Sequence, residues 1–203
     1  MYKRQILDIS GSIPRLTLDQ EDVLSQKEVK QINLSKHRFG FQSGFGGQKE
    51  LLLPIDYSYT LWFFQMQYYY ALHSRKHWGI ELLTQPQYNI TNFKILENTG
   101  DYTKGYEYGI NIGILLRFNF FNDFMSIYGF ASTGPHYIPK TPIRQAEGFI
   151  FSDNFFGGFH IRLVKNMFFD IRAGFRHVSN AGIEKPNGGI NTHVISGGFM
   201  VNL

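Results

Sequence analysis

Three features of the chain predict an all-β fold, an eight-stranded antiparallel transmembrane β-barrel carrying an N-terminal extension. The first is composition: among 203 residues there are 20 Phe, 12 Tyr and 21 Gly, a mixture that favours strands with close backbone packing. The second is period. From residue 37 onward the chain divides into eight β-like segments in which bulky apolar residues alternate with small or polar ones. The third is the connections, which alternate between short and long, as in outer-membrane barrels whose short turns face the periplasm.

Length and composition set the outer limits. A chain of 203 residues with no break at its midpoint fits one sizeable domain. No apolar run reaches the length of a membrane helix, whereas a membrane barrel hides its apolar half in alternation. The absence of Cys excludes a disulfide framework and zinc-thiolate sites, and the His residues show no metal-ligand spacing, so neither a cofactor nor a metal is expected. The net charge of +4 is spread along the chain rather than clustered, which argues against nucleic acid as a partner and leaves open attraction to an anionic membrane surface.

Taken in order, residues 1–35 form the extension and 36–203 the barrel. Met1–Gln5 leads into no apolar run, so no signal peptide is visible; the opening residues are expected to be a truncation or artefact, or else ordinary solvated residues. Residues 6–35 are polar and weakly patterned, admitting a strand near 15–18 or a short helix near 23–32. The eight segments are 37–46, 57–72, 77–91, 105–121, 124–134, 148–164, 167–178 and 191–203. Short turns at Ser74–Lys76, Asn122–Asp123 and Lys165–Asn166 follow the second, fourth and sixth; longer loops rich in Gly, Pro, Asn and charge follow the others.

The fourth segment shows the alternation best. Tyr106, Tyr108, Ile110, Ile112, Ile114, Leu116, Phe118 and Phe120 share one face, against Glu107, Gly109, Asn111, Gly113, Leu115, Arg117 and Asn119 on the other. In the sixth, Phe149, Phe151, Phe155, Phe159, Ile161 and Leu163 oppose Asn154, Gly158, His160 and Arg162. The second face is small or charged, which suits a narrow lumen filled by side chains better than the exterior of a soluble barrel. The apolar face is therefore assigned to lipid. Glu81, Glu107, Arg117, Arg162, Asp170, Arg172 and Arg176 are assigned to the lumen as a hydrogen-bonded ionic plug. Trp62, Tyr68, Tyr70, Trp78, Tyr106 and Tyr108 suit interfacial girdles, with plain strand packing as the alternative.

In the seventh segment Phe169, Ile171, Ala173, Phe175, His177 and Ser179 share the lipid-facing parity, opposite Asp170, Arg172, Gly174 and Arg176. The eighth places Asn191, His193, Ile195, Gly197, Phe199, Val201 and Leu203 outward, with Asn191 near the His177 and Ser179 end. If the first strand rises from the periplasm, this polar cluster sits at the outer-leaflet interface. An ester of a membrane lipid would be presented there.

The run His177-x-Ser179-Asn180-Ala181-Gly182, followed by Pro186-Asn187-x-Gly189-Ile190 and a final strand, resembles the C-terminal signature of the PagL-type lipid A 3-O-deacylases, eight-stranded outer-membrane barrels. The resemblance covers about the last thirty residues. It implies a serine esterase acting on lipid A or a related acylated glycolipid in the outer membrane, with His177 as general base and Ser179 as nucleophile. Asn180, with the backbone N–H groups of Ala181 and Gly182, would stabilise the oxyanion. The family has an acidic residue where this chain has Asn191; an amide can orient an imidazole but adds no charge. Glu184 is the candidate substitute acid, against its reading as a solvated loop carboxylate. Two alternatives stand beside the esterase: a non-catalytic outer-membrane barrel with a degenerate site, acting as a structural or complex subunit, and a soluble ligand-binding barrel. A homodimer or a larger envelope complex is left open.

Overall fold

The computed structural model describes residues 35–48, 57–96, 99–121 and 124–203. Eight strands form a closed antiparallel barrel: β1 (His37–Gly47), β2 (Tyr59–Ser74), β3 (Trp78–Leu96), β4 (Thr99–Phe120), β5 (Met125–Ile138), β6 (Gly148–Val164), β7 (Met167–Ser179) and β8 (Ile190–Asn202). Each strand pairs with the next, and β1 pairs with β8 from Arg38↔Asn202 to Gly47↔His193, so no edge is left unpaired. Among the described residues no helix is long and apolar enough to cross a membrane.

The expected strands are all present, and three are longer by at least three residues than their apolar runs suggested. Pairing of β3 with β4 continues past Asn92↔Lys104 and Lys94↔Tyr102 to Leu96↔Thr99, so the connection expected as a long loop after residue 91 is largely a hairpin. Its Phe, Ile, Thr and Tyr residues are good strand formers, Phe93 still points into the lumen, and paired backbone satisfies its own polar groups. Strand β5 likewise runs on to Ile138. The turn at Asn122–Asp123 and the extension before Ser35 lie outside the described residues.

The parity read from the sequence is the one observed. Along β4, Glu107, Asn111, Leu115, Arg117 and Asn119 are buried, while Tyr106, Tyr108, Ile110, Ile112, Ile114, Leu116, Phe118 and Phe120 stand exposed on the outer wall. Trp62, Tyr68 and Trp78 are exposed on that wall as well. Tyr88, Tyr106, Tyr108 and Tyr137 follow one another across β3, β4 and β5 with ring centres 6.5, 6.4 and 5.8 Å apart.

Inside, Glu81 joins Arg38 and Arg117, Glu107 joins Arg176 and His136, and Asp170 accepts from Tyr69 and Tyr128 and lies 3.6 Å from His160. Glu81, Glu107, Arg117, Asp170, Arg172 and Arg176 are thus buried as expected. Arg162, at the short-turn end, is only half-buried, with its guanidinium 5.4 Å from the centre of the Phe168 ring. Arg38, His136 and His160 belong to the same network and were not singled out. The lumen also contains two apolar clusters interleaved with the charges. Leu61, Phe93, Ile138, Ile150, Val178 and Ile190 cluster toward the long loops, and Leu83, Leu115, Phe130, Phe168 and Met200 toward the short turns. A barrel of this size has no channel; its interior is filled by side chains, charged and apolar together.

Candidate active site

The predicted cluster lies where β7 and β8 leave the barrel wall at the long-loop end. Strand register sets His177 directly opposite Asn191, and both side chains point outward because their neighbours Val178, Ile190 and Thr192 point in. The imidazole Nδ1 lies 2.6 Å from Asn191 Oδ1. An amide oxygen only accepts, so Nδ1 carries the proton and Nε2 is left as the acceptor, the form a general base must have. Asn191 is held in turn through its backbone: its N–H donates to the Tyr57 hydroxyl at 2.7 Å, and that hydroxyl faces the Asn191 carbonyl at 3.4 Å. Burial pushes the Tyr57 phenol above its usual range, and its bond at Asn191 and the Arg144 guanidinium pull it partly back.

Ser179 is on the same face of β7, two residues from His177 and opposite Phe151 on β6. Among the described residues its Oγ makes no hydrogen bond, to His177 or to anything else; in substrate-free sites such bonds are often long and close when substrate binds. Asn180, the next residue, turns inward and is 1% exposed. Its Nδ2 donates to the Glu184 carbonyl at 2.7 Å, its own N–H donates to Asn187 Oδ1 at 3.0 Å, and its Oδ1 accepts from the Gly182 N–H at 3.0 Å. Of the donors named from the sequence, the Ala181 N–H alone is left without a hydrogen bond among the described residues. Ile183 N–H closes the turn on the Asn180 carbonyl at 3.1 Å, with φ of 55° at Ala181 and 81° at Gly182. Positive φ at both central residues is the geometry of a type I′ turn. The Glu184 side chain is exposed in this loop, and the bond to the imidazole is made by Asn191.

The loop after β7 is laced to the loop after β5. Gly188 N–H donates to the Arg144 carbonyl and Ala146 N–H to the Pro186 carbonyl, each at 2.7 Å, while Gly189 N–H reaches Gln145 Oε1 at 3.1 Å. These bonds press Gly189 against the imidazole: a Cβ at this residue, whose φ is 67°, would sit 2.7 Å from His177 Cε1. Only glycine fits there without moving the ring.

Two features of the site were not read from the sequence. Asp153 on β6 is the cross-strand neighbour of His177, so Thr133, Asp153, His177 and Asn191 form one outward row across four strands. The carboxylate of Asp153 accepts from Thr133 Oγ1 at 2.6 Å. Its outward parity was legible; its level was not, because a register shift between Arg162 and Val164 moves β6 by one residue against β7. The second feature is a groove of about 860 Å³ on the outer wall, beginning one row below the cluster and lined by Phe45, Phe155, Gly157, Ala173, Phe175 and Ile195. Gly157 and Ala173 pair across β6 and β7, and their small side chains make its floor.

A closed eight-stranded barrel with an apolar outer wall, a charged lumen and a polar His, Ser and amide cluster on that wall is an outer-membrane barrel with that cluster on the lipid side. The chain belongs to the lipid A 3-O-deacylase (PagL) family: the match to that family spans residues 57–199, which include every residue of the cluster. The family is one of ester hydrolases that act on lipid A, and it places the chain in the bacterial outer membrane. Among solved structures the chain is similar to Neisserial surface protein A, at 12% identity and a TM-score of 0.50, covering 82% of this chain and 96% of that one. It is also similar to the outer membrane protein OprG from Pseudomonas aeruginosa, at 13% identity and a TM-score of 0.40 over 82% and 96% of the two chains. For the Yersinia pestis outer membrane protein Ail the identity is 14% and the TM-score 0.41 over 80% and 98%. A comparison with curated proteins gave no match.

Proposed function

We propose that the chain is a serine esterase that removes an ester-linked acyl chain from lipid A in the outer leaflet of the outer membrane. The observation that carries this reading is the 2.6 Å bond from the His177 imidazole to Asn191, which leaves Nε2 as a free acceptor on the lipid-facing wall, on the same strand face as Ser179. In the reaction, Nε2 takes the proton of Ser179 Oγ as that oxygen attacks the ester carbonyl. The Ala181 N–H is the donor available to the oxyanion. Collapse expels the sugar oxygen, which takes the proton back from the imidazolium; water then attacks the acyl-enzyme by the same route and releases the fatty acid. The groove below the cluster takes the acyl chain. From Ser179 past His177 to the groove floor at Ala173 is about 20 Å along the strand, at about 3.3 Å per residue. Asp153, one cross-strand step from His177, supplies negative charge near the imidazolium that the amide of Asn191 cannot.

The test is the lipid A of cells carrying the wild type or Ser179→Ala. The variant keeps the compact electrophoretic mobility of a folded barrel and releases no hydroxyacyl chain; identical lipid A masses in the two strains refute the esterase. A second reading, a barrel with a degenerate site, is favoured by the amide at residue 191 and by the lack of a Ser179–His177 hydrogen bond. Labelling of Ser179 by a serine-directed phosphonate would exclude it.

A further inference from the structure

The lumen has more fixed positive charge than its carboxylates offset. Among the described residues Arg38 and Arg117 share Glu81, and Arg176 shares Glu107 with His136. Arg172 is 3% exposed and has no carboxylate oxygen of the described residues within 4.0 Å. Its Nη2 donates to Gln65 Oε1 and its Nε to Ser196 Oγ at 3.2 Å, while its guanidinium lies 5.0 and 5.3 Å from the ring centres of Phe130 and Phe156. The third lumen carboxylate, Asp170, acts on it from beyond ion-pair distance and is already taken up by Tyr69, Tyr128 and His160, so the direct contacts of this buried cation are dipoles and ring faces, and among the described residues four buried arginines face three buried carboxylates.

Two further observations point to what balances it. Nη1 of Arg172 and Nη1 of Arg176 are both buried without a hydrogen bond. Both arginines line one void of about 10 Å³ halfway along the barrel, walled also by Gln65, Gln85, Gln87 and Asn154. That is room for one water-sized sphere. The amide oxygens on its wall are already accepting: Gln65 Oε1 from Gln67, Gln85 and Arg172, Gln87 Oε1 from Gln65, Gln85 Oε1 from Ser132, and Asn154 Oδ1 from Ser152. A water placed there would offset none of the excess positive charge, whereas an anion offsets it and requires donors only.

We propose that this void binds a monatomic monovalent anion of the chloride type, held between Nη1 of Arg172 and Nη1 of Arg176. Polyatomic oxyanions are too large for it. Both arginines stand on the inner face of β7, whose outer face carries His177 and Ser179, so the anion braces from within the strand that presents the site.

Crystals of the full chain in detergent, grown with bromide in place of chloride and measured at the bromine absorption edge, give the direct test. An anomalous peak between the two guanidinium groups is expected; an empty void, or a peak without anomalous signal, overturns the proposal. Equilibrium unfolding in lipid vesicles is the second measurement, with chloride exchanged for gluconate at constant ionic strength. Once chloride exceeds its Kd, each tenfold rise lowers the unfolding constant of the wild type about tenfold, and Arg172→Met abolishes the dependence. A wild type indifferent to chloride, or a variant that responds equally, overturns it. The diffraction result stands by itself should that variant not fold.

Discussion

Replacing Asn191 by Asp changes an amide to a carboxylate at the imidazole while leaving the shape of the side chain almost unaltered. The Asn191 oxygen is 2.6 Å from His177 Nδ1, so a carboxylate there keeps the hydrogen bond and adds a charge. Attack by Ser179 makes His177 an imidazolium, and with the charge centres about 4 Å apart the attraction is about 1 kcal/mol in water and about 4 kcal/mol at the effective dielectric of a partly buried pair. At about 1.4 kcal/mol per tenfold, the expected acceleration lies between about fivefold and about a thousandfold. The half-buried setting of both side chains puts the expectation near a hundredfold. The loss of about ten-thousandfold on removing the triad carboxylate of a serine protease is the ceiling. The assay is turnover of purified lipid A in mixed micelles, with the released hydroxyacyl chain quantified by mass spectrometry for wild type, Asn191→Asp and Ser179→Ala. A folded Asn191→Asp barrel that is no faster than wild type would refute the assignment of residue 191 as the partner of the base.

Gly189→Ala places a methyl group 2.7 Å from His177 Cε1 and forces alanine to a φ of 67°, a conformation costing about 1–2 kcal/mol. Displacing the imidazole by about 1 Å is expected to lower kcat about a hundredfold with the barrel intact and KM little changed, read from initial rates on lipid A micelles. Tyr57 holds Asn191 through a hydroxyl whose folded-state pKa is raised, so its contribution to stability is complete below about pH 10 and disappears as pH climbs through that higher value. Tyr57→Phe should cost about 1 kcal/mol at neutral pH and show a smaller alkaline loss than wild type; parallel alkaline losses in vesicle unfolding would contradict this. Glu107→Gln leaves Arg176 buried without its carboxylate and should destabilise the barrel by about 3–5 kcal/mol, measured as a shift of the urea midpoint.

Much of the site was legible because strand parity is a local property. Once β7 is read with period two, His177 and Ser179 must share a face with Phe175 and oppose Arg176, and β8 puts Asn191 on the same wall. What parity does not give is level. The register shift between Arg162 and Val164 decides that Asp153, and no inward residue of β6, stands beside His177. The donors after Ser179 were likewise beyond reach of the motif, since the inward turn of Asn180 and its bonds to Glu184 and Asn187 depend on how the loop closes.

The sequence by itself determined the number of strands, their order, the face each side chain takes and the outward position of the His and Ser, because each follows from alternation and turn length within one or two neighbouring segments. Tertiary structure alone decided the rest. Closing β1 on β8 packed, among the described residues, four buried arginines around three buried carboxylates and set two apolar clusters in the lumen. Lacing the loop after β5 to the loop after β7 pressed Gly189 onto the imidazole. These are contacts between residues far apart in the chain, and their geometry exists only once the ring is complete.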